Sequence, residues 1–245
     1  MNVDRFSLSE GQLLMRFATL QNGEDRVQIV VAPHARLDLF LIEDNPENQR
    51  EGWLDVEVGE EATVNLVQLT LNTRKSLTHL HFKLVGEKAE VNVSGAVLAD
   101  GEQQSEIHVL MEHQAESCRS NMLYKQVLCG KSLGLVEGKV LVQPGAQKTE
   151  SQQTFANILN EKGARAQSLP MLEIYADDVK CNHGSTVGKL DETALFYMRQ
   201  RGIPYDMARQ ILQKAFVNEV LHNVSHDSVQ MRLSQMIEHR LTTLR

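Results

Sequence analysis

Cysteine is scarce in this chain: Cys118, Cys129 and Cys181 are the only three among 245 residues. They are too few and too scattered for a disulfide framework, so a reducing, cytoplasmic setting is expected. No run of about 18 apolar residues occurs, which excludes a membrane-spanning helix. The opening Met1-Asn-Val-Asp-Arg-Phe6 has no basic stretch followed by an apolar one, and no secretory signal is expected. Positive charge is also short. Lys and Arg number 25 against 32 Asp and Glu, for a formal charge of −7. Without a basic tract to neutralise phosphates, nucleic acid is not an expected partner. No Gly-x-x-x-x-Gly-Lys-Ser/Thr loop is present, so this chain is not expected to bind nucleotide. An elbow for a nucleophilic serine is not expected either.

What the chain does contain is short apolar runs broken by turn residues. Between Val27 and Val187 these include Val27–Val31, Leu37–Ile42, Ala62–Leu71, Ala89–Val93 and Ser105–Leu110. Each alternates or runs apolar over four to ten residues and then meets Gly, Asn, Asp or a charged turn, the pattern of strands. No helix-period segment intervenes, which disfavours a doubly wound α/β fold. One internal echo stands out. Gly95-Ala-Val-Leu-Ala-Asp-Gly101-Glu-Gln103 matches Gly138-Lys-Val-Leu-Val-Gln-Pro-Gly145-Ala-Gln147 with one inserted residue. Its spacing of 43 to 44 residues predicts two coils of a β-solenoid. A β-sandwich has similar strand spacing and stays open on this evidence.

Past Gly188 the period changes. Asp191 is a candidate helix N-cap and Gly202 a candidate C′ glycine, with Leu195 and Met198 on one face between them. Pro204 suits a first helical position. Ala208, Ile211, Leu212, Ala215, Phe216 and Val220 follow at helical spacing. A third helix is expected from near Asp227, aligning Val229, Leu233, Met236, Ile237, Leu241 and Leu244. The expected organisation is a β core over residues 1–188 and a small helical unit over 189–245, an all-β core with an α-helical C-terminus.

The most informative segment is Met171-Leu-Glu-Ile-Tyr-Ala-Asp-Asp-Val-Lys-Cys181-Asn-His183-Gly-Ser-Thr-Val187. Successive side chains of a strand alternate faces, so Cys181 and His183 point the same way and Lys180 the other. A thiol and an imidazole side by side suit iron, an iron–sulfur cluster or zinc. Two ligands do not complete a four-ligand site, so a partner or a second site must supply the rest. The plain alternatives are a buried structural thiol and a satisfied core histidine.

The stretch from Gly145 to Leu221 resembles the SufB/SufD family, the scaffolds of the SUF iron–sulfur cluster assembly machinery. Three features carry the resemblance: Leu172–Gly188, then Leu190-Asp-Glu-Thr-Ala-Leu-Phe-Tyr197, then Arg199-Gln-Arg-Gly-Ile203 with Ala208 and Ala215-Phe216 beyond. It implies a right-handed parallel β-helix followed by a helical bundle, acting as a non-catalytic scaffold. Within the family the chain looks SufD-like, because the SufB form has a Glu-His-Glu triplet where Asn182-His183-Gly184 stands here. The resemblance further implies pairing with a SufB-like subunit through the β-helix; the shortness of the chain motivates an alternative, a homodimeric minimal scaffold paired with itself. His183 and Cys181 would lie at that junction, holding iron or a cluster transiently and sharing it with the partner. A SufC-like ABC ATPase would bind the C-terminal helices, for which Asp191, Leu195, Phe196, Tyr197, Arg201, Gly202 and Phe216 match the signature, and would supply any ATP hydrolysis. One of Phe196 and Tyr197 is expected to pack inward and the other to reach the partner. Family members are considerably longer and open with a helical domain, which this sequence is expected to lack.

Other candidates carry less. His79 and His81 form a second same-face pair, either metal ligands or polar positions on the wet side of a strand whose Leu80 and Phe82 face inward. A metal-dependent β-helix or cupin-like enzyme would need them to converge with His183. Cys118 and Cys129 lack ligand spacing and are expected to be structural. His222 and His226 are four apart, but Asn223-Val-Ser225 predicts a break between helices there.

Overall fold

The structure is a computed structural model that describes residues 2–19 and 23–244. Met1 and Arg245, the outer limits of the two expected units, lie outside the described residues, as do residues 20–22. Twelve strands form one parallel sheet wound into about six coils. They are β1 (Asn2–Leu8), β2 (Leu13–Thr19), β3 (Gly23–Val31), β4 (Arg36–Val58), β5 (Thr63–Leu84), β6 (Glu90–Ala99), β7 (Gln104–His113), β8 (Arg119–Leu128), β9 (Leu133–Val142), β10 (Glu150–Leu159), β11 (Arg165–Ile174) and β12 (Lys180–Gly188). Three helices close the chain: α1 (Glu192–Gln200), α2 (Tyr205–Asn218) and α3 (Asp227–Thr243). None is long and apolar enough to cross a membrane. The parallel β-helix expected from the resemblance is the fold observed, and the β-sandwich is excluded.

Two faces make the solenoid. The first stacks β2, the front of β4, the front of β5, β6, β8, β10 and β12; the second stacks β1, β3, the back of β4, the back of β5, β7, β9 and β11. Period-two alternation sends every second side chain inward. Leu37, Leu39, Val64, Leu66, Val91, Val93, Met122, Tyr124 and Phe155 fill the interior and are buried, each such side chain contributing about 1.5–3 kcal/mol. At one corner a single residue per coil, His34, Glu61, Lys88, Ser117 and Lys148, takes a φ of 51–59°. Each donates its N–H to a carbonyl of the next coil, as in His34 to Glu60 at 2.8 Å and Ser117 to Gln147 at 2.8 Å. The turns therefore stack in the same ladder as the strands.

Two expectations about the β portion need correction. Arg36, Thr63, Glu90, Arg119, Glu150 and Lys180 lie in register, so one coil takes 27 to 31 residues. The echo of 43 to 44 residues is therefore one and a half coils, not two. It relates a half-coil of the first face, β6 and its turn, to a half-coil of the second, β9 and its turn. Strand lengths differ as well: β4 and β5 run 23 and 22 residues through a corner where the other coils break. Irregular register between Glu43 and Gln49 lets β4 bend there without a turn.

The echo has a packing meaning. A Cβ on Gly95 would stand 2.2 Å from the Tyr124 ring, and one on Gly138 would stand 2.6 Å from the Phe155 ring. These two rings meet edge to face inside the solenoid, 6.1 Å apart. The glycines leave space for them. Gly95→Ala is expected to lower stability by about 1–3 kcal/mol through overpacking, read as a shifted urea midpoint. An unchanged midpoint would show that Tyr124 can move aside.

The helices pack on the outside of the first face. Phe40, Ile42, Val67, Leu69, Leu71, Ala96, Leu98 and Val127 share a second core with Val217, Val220, Leu221, Leu233, Ile237, Leu241 and Leu244. Lys125, largely buried, pairs with Glu219 at 2.6 Å and lies over the Phe216 ring. Arg240 reaches the carbonyl of Leu98 at 3.3 Å and Asp100 at 2.9 Å. The α3 stripe lies as expected. The α2 stripe is rotated: Ile211 and Ala215 are exposed, while Ala208, Gln213 and Val217 face inward. Gln213 holds that orientation by donating to Asn160 on the solenoid at 3.1 Å.

Candidate functional site

The solenoid ends on an unfinished coil. Among the described residues β12 pairs only with β10, and β11 only with β9, so the last rung of each face presents backbone groups left unpaired by them. Cys181 lies in register over Ser151, and His183 over Gln153. Ser151 and Gln153 are buried interior residues, so the thiol and imidazole share the inward side of the terminal rung, as strand alternation predicts. Cys181 is half-buried and packs against the core, while His183 is exposed. Lys180, on the opposite face, is exposed beside Glu150 at 3.5 Å.

Burial pushes the Cys181 thiol up, with the Ser151 backbone N–H opposing that shift. The group is a protonated thiol at neutral pH, and binding a metal there must release its proton. A Cβ on Gly184 would meet nothing within 4 Å. The end of the coil beside His183 is open space.

Cys118 and Cys129 are fully buried, and burial raises both thiols. Cys118 approaches the Gly86 carbonyl at 3.2 Å, and Cys129 accepts from Asn160 at 3.0 Å. Their structural reading agrees with this placement. His79 and His81 sit on the outside of the second face, on β5, with Leu80 and Phe82 buried behind them. They lie on the other face from His183 and several coils away, so the structure does not assemble the three-histidine site an enzyme would need. His222 and His226 are exposed at the break between α2 and α3. The segment Gly130-Lys-Ser132-Leu-Gly134 does fit a Gly-x-Ser-x-Gly spacing, but it forms a solenoid turn. Ser132 is fully buried there, donating to the Cys129 carbonyl at 2.8 Å, so it is no nucleophile.

The helical candidates hold α1 in place or decorate it. Asp191 accepts from the N–H groups of Thr193 and Ala194 at 2.8 and 3.2 Å, an N-cap. Gly202, at φ 83°, closes the helix with its N–H on the Arg199 carbonyl. Leu195 is buried. Phe196 and Tyr197 are 62% and 58% exposed, which corrects the expectation that one packs inward. This short helix packs on α2 and buries only Leu195. Arg201 lies over the Tyr197 ring at 4.8 Å. Phe216 is half-buried and lines, with Val187, Asp191 and Leu212, a groove of about 330 Å³ between α2 and the end of the terminal strand. Tyr205, Met207 and Ile211 extend the exposed apolar surface. Of these, Ile211 was expected on the inward stripe, and the rotation of α2 brings it out.

Comparison with known proteins agrees with this geometry. The family model described as "SUF system FeS cluster assembly, SufBD core domain" matches residues 8–216. The Escherichia coli iron-sulfur cluster assembly protein SufD is 29% identical over 238 residues, covering 95% of this chain and 56% of that protein. A SufBD family protein of Mycobacterium leprae is 31% identical over 235 residues, covering 89% and 58%. The Arabidopsis thaliana protein ABCI7, chloroplastic, is 27% identical over 199 residues, covering 80% and 42%. The chain spans about half the length of these relatives. It belongs to the SufBD core family of the SUF iron–sulfur cluster assembly system.

Proposed function

We propose that this chain is a SufD-like, non-catalytic scaffold subunit that helps to build iron–sulfur clusters at a junction with a SufB-like subunit. The observation that carries the reading is the thiol–imidazole pair on the last, uncovered rung of the solenoid. A rung with free backbone groups is suited to be continued by a strand of another chain. A second solenoid end placed there would bring its own ligands beside Cys181 and His183, completing a set that this chain leaves at two. Iron or a nascent cluster is the cargo held there, transient and shared. Neutral imidazole and thiolate match the ligand preferences of iron. On this reading Cys181 gives up its proton on coordination, and Gly184 leaves space for the partner's groups.

The second contact is with a SufC-like ABC ATPase through the C-terminal helices. Phe196, Tyr197, Arg201, Tyr205 and Met207 present aromatic, arginine and methionine side chains to solvent, the residue types that anchor interfaces. Asp191, Leu195 and Gly202 hold the helix that displays them. Phe216 lines the groove between α2 and the end of β12, and movement of the helices would be felt at the strand carrying Cys181 and His183. Nucleotide hydrolysis belongs to the partner. The three free cysteines suit a reducing cytoplasm.

The test is His183→Ala in the complex reconstituted with SufB-like and SufC-like partners. Cluster formation, followed by visible absorption and iron content, is expected to collapse while the complex elutes intact. An unchanged cluster yield would remove His183 from the mechanism.

A further inference from the structure

On the outer side of the second face, far from the terminal pair, the coils align three histidines with five carboxylates. Trp53, His79, His108 and Glu137 lie in one register column, and Asp55, His81, Leu110 and Lys139 in the next. The rings stack: Trp53 on His79 at 5.3 Å and His79 on His108 at 5.2 Å, within 12° of parallel. His81 has Asp55 at 3.6 Å from Nδ1 and Glu112 at 3.2 Å from Nε2. His108 has Glu137 at 3.6 Å from Nδ1 and Glu106 at 3.0 Å from Nε2. His79 has Glu51 at 3.5 Å from Nε2.

Both ring nitrogens of His81 and of His108 therefore face a carboxylate. A neutral imidazole carries one N–H, so on each ring one nitrogen turns its lone pair toward a carboxylate oxygen. That contact is repulsive unless the ring is protonated or a metal cation stands between the two. Two ligands bound at about 2.0–2.1 Å to a tetrahedral ion are roughly 3.3 Å apart, close to these nitrogen–oxygen separations. The column spacing of about 4.8 Å between coils and the i, i+2 relation of His79 and His81 place all three rings around one groove. That groove, of about 340 Å³, is lined by Asp55, His79, His81, His108, Glu137 and Lys139 among others. In the present rotamers no three ligating groups meet at one point among the described residues, so binding requires a ring to turn out of the stack. All five side chains, the three rings with Asp55 and Glu137, are partly exposed along the groove.

We propose that this groove binds a divalent transition-metal ion, with His79, His81 and His108 as imidazole donors and Asp55 and Glu137 as carboxylate donors. Mixed imidazole and carboxylate ligands suit Zn²⁺, Fe²⁺, Co²⁺ and Ni²⁺ rather than Mg²⁺ or Ca²⁺. The proposal is independent of the terminal pair and of the reading built on it.

Trp53 is the only tryptophan in the chain and stacks on the first of these rings, so its fluorescence reports on the groove. Co²⁺, a paramagnetic quencher, is titrated into the whole chain carrying Cys181→Ser and His183→Ala, which removes the terminal pair. Saturable quenching reversed by a chelator is expected. In the same background, His79→Gln/His108→Gln should weaken the midpoint at least about tenfold. His34→Gln, at a histidine on the corner column, should leave it unchanged. Quenching that rises without saturation, or that saturates equally in the double variant, would overturn the proposal and leave the carboxylate pairs to protonated imidazoles. Circular dichroism of each variant checks that the solenoid is retained.

Discussion

Arg50→Leu is expected to destabilise the solenoid by about 3–5 kcal/mol, the loss seen when one partner of a buried ion pair is removed. Arg50 and Glu43 meet at 3.0 Å inside the coil stack, with side chains 4% and 0% exposed. Glu43 also accepts from Thr78 at 3.4 Å, and Thr78 accepts from Gln68 at 3.3 Å. The phenol of Tyr124 in turn donates to Gln68 at 3.3 Å. Removing the guanidinium leaves a buried carboxylate with the Thr78 hydroxyl as its donor, and one of its oxygens already has no partner among the described residues. The backbone is shaped for the pair as well. A Cβ on Gly52 would stand 2.0 Å from the Arg50 guanidinium, so the strand keeps a glycine where the arginine turns inward. Urea unfolding of Arg50→Leu and of Glu43→Leu/Arg50→Leu separates charge from packing. The double variant should recover most of the loss, because well-packed apolar residues replace buried pairs with little change in stability. A single variant costing less than about 1 kcal/mol would mean that water already reaches Glu43.

This interior shows where the sequence stops being informative. Strands were legible because alternation is a local signal, and the common side of Cys181 and His183 follows from it directly. Coil length was not, since register between distant strands depends on how many residues each corner takes. Once β4 and β5 run through a corner unbroken, turn residues no longer mark the repeat. Glu43, Arg50, Gln68 and His113 look like solvent-facing positions in a linear pattern, yet a closed coil turns them inward and satisfies most of them on neighbouring rungs. The stack of Trp53, His79 and His108 was invisible for the same reason: successive members lie 26 and 29 residues apart and meet only through register. The helix caps at Asp191 and Gly202 were legible because capping is decided within one turn of chain. Which side of α2 faces the sheet was not, because Asn160, more than 50 residues earlier, decides it.

His113 makes the solenoid sensitive to acid. It is fully buried, with Nε2 at 2.8 Å from the Ser120 hydroxyl, which is in turn 2.8 Å from the Ser151 hydroxyl. Its Nδ1 has no partner among the described residues. Burial alone brings its pKa down from 6.5 to about 4, since an imidazolium there would carry a charge that nothing nearby compensates. The unfolded chain takes up a proton near pH 6.5, whereas the folded one resists until about pH 4. Between those values the unfolded state binds more protons, so stability rises with pH. The contribution is complete above pH 6.5 and is lost as the pH falls through that window. By pH 4 the loss is about 3 kcal/mol. Other carboxylates and histidines titrate over the same range, so the measurement is a difference. Urea unfolding free energies of the wild type and of His113→Met are compared at steps from pH 7.5 to 4.5. His113→Met is apolar, does not titrate and fills similar space. The wild type should lose stability faster, converging on the variant or falling below it as the pH drops. Parallel profiles would show that the imidazole takes up its proton over the same range folded and unfolded, because water reaches it inside the coil.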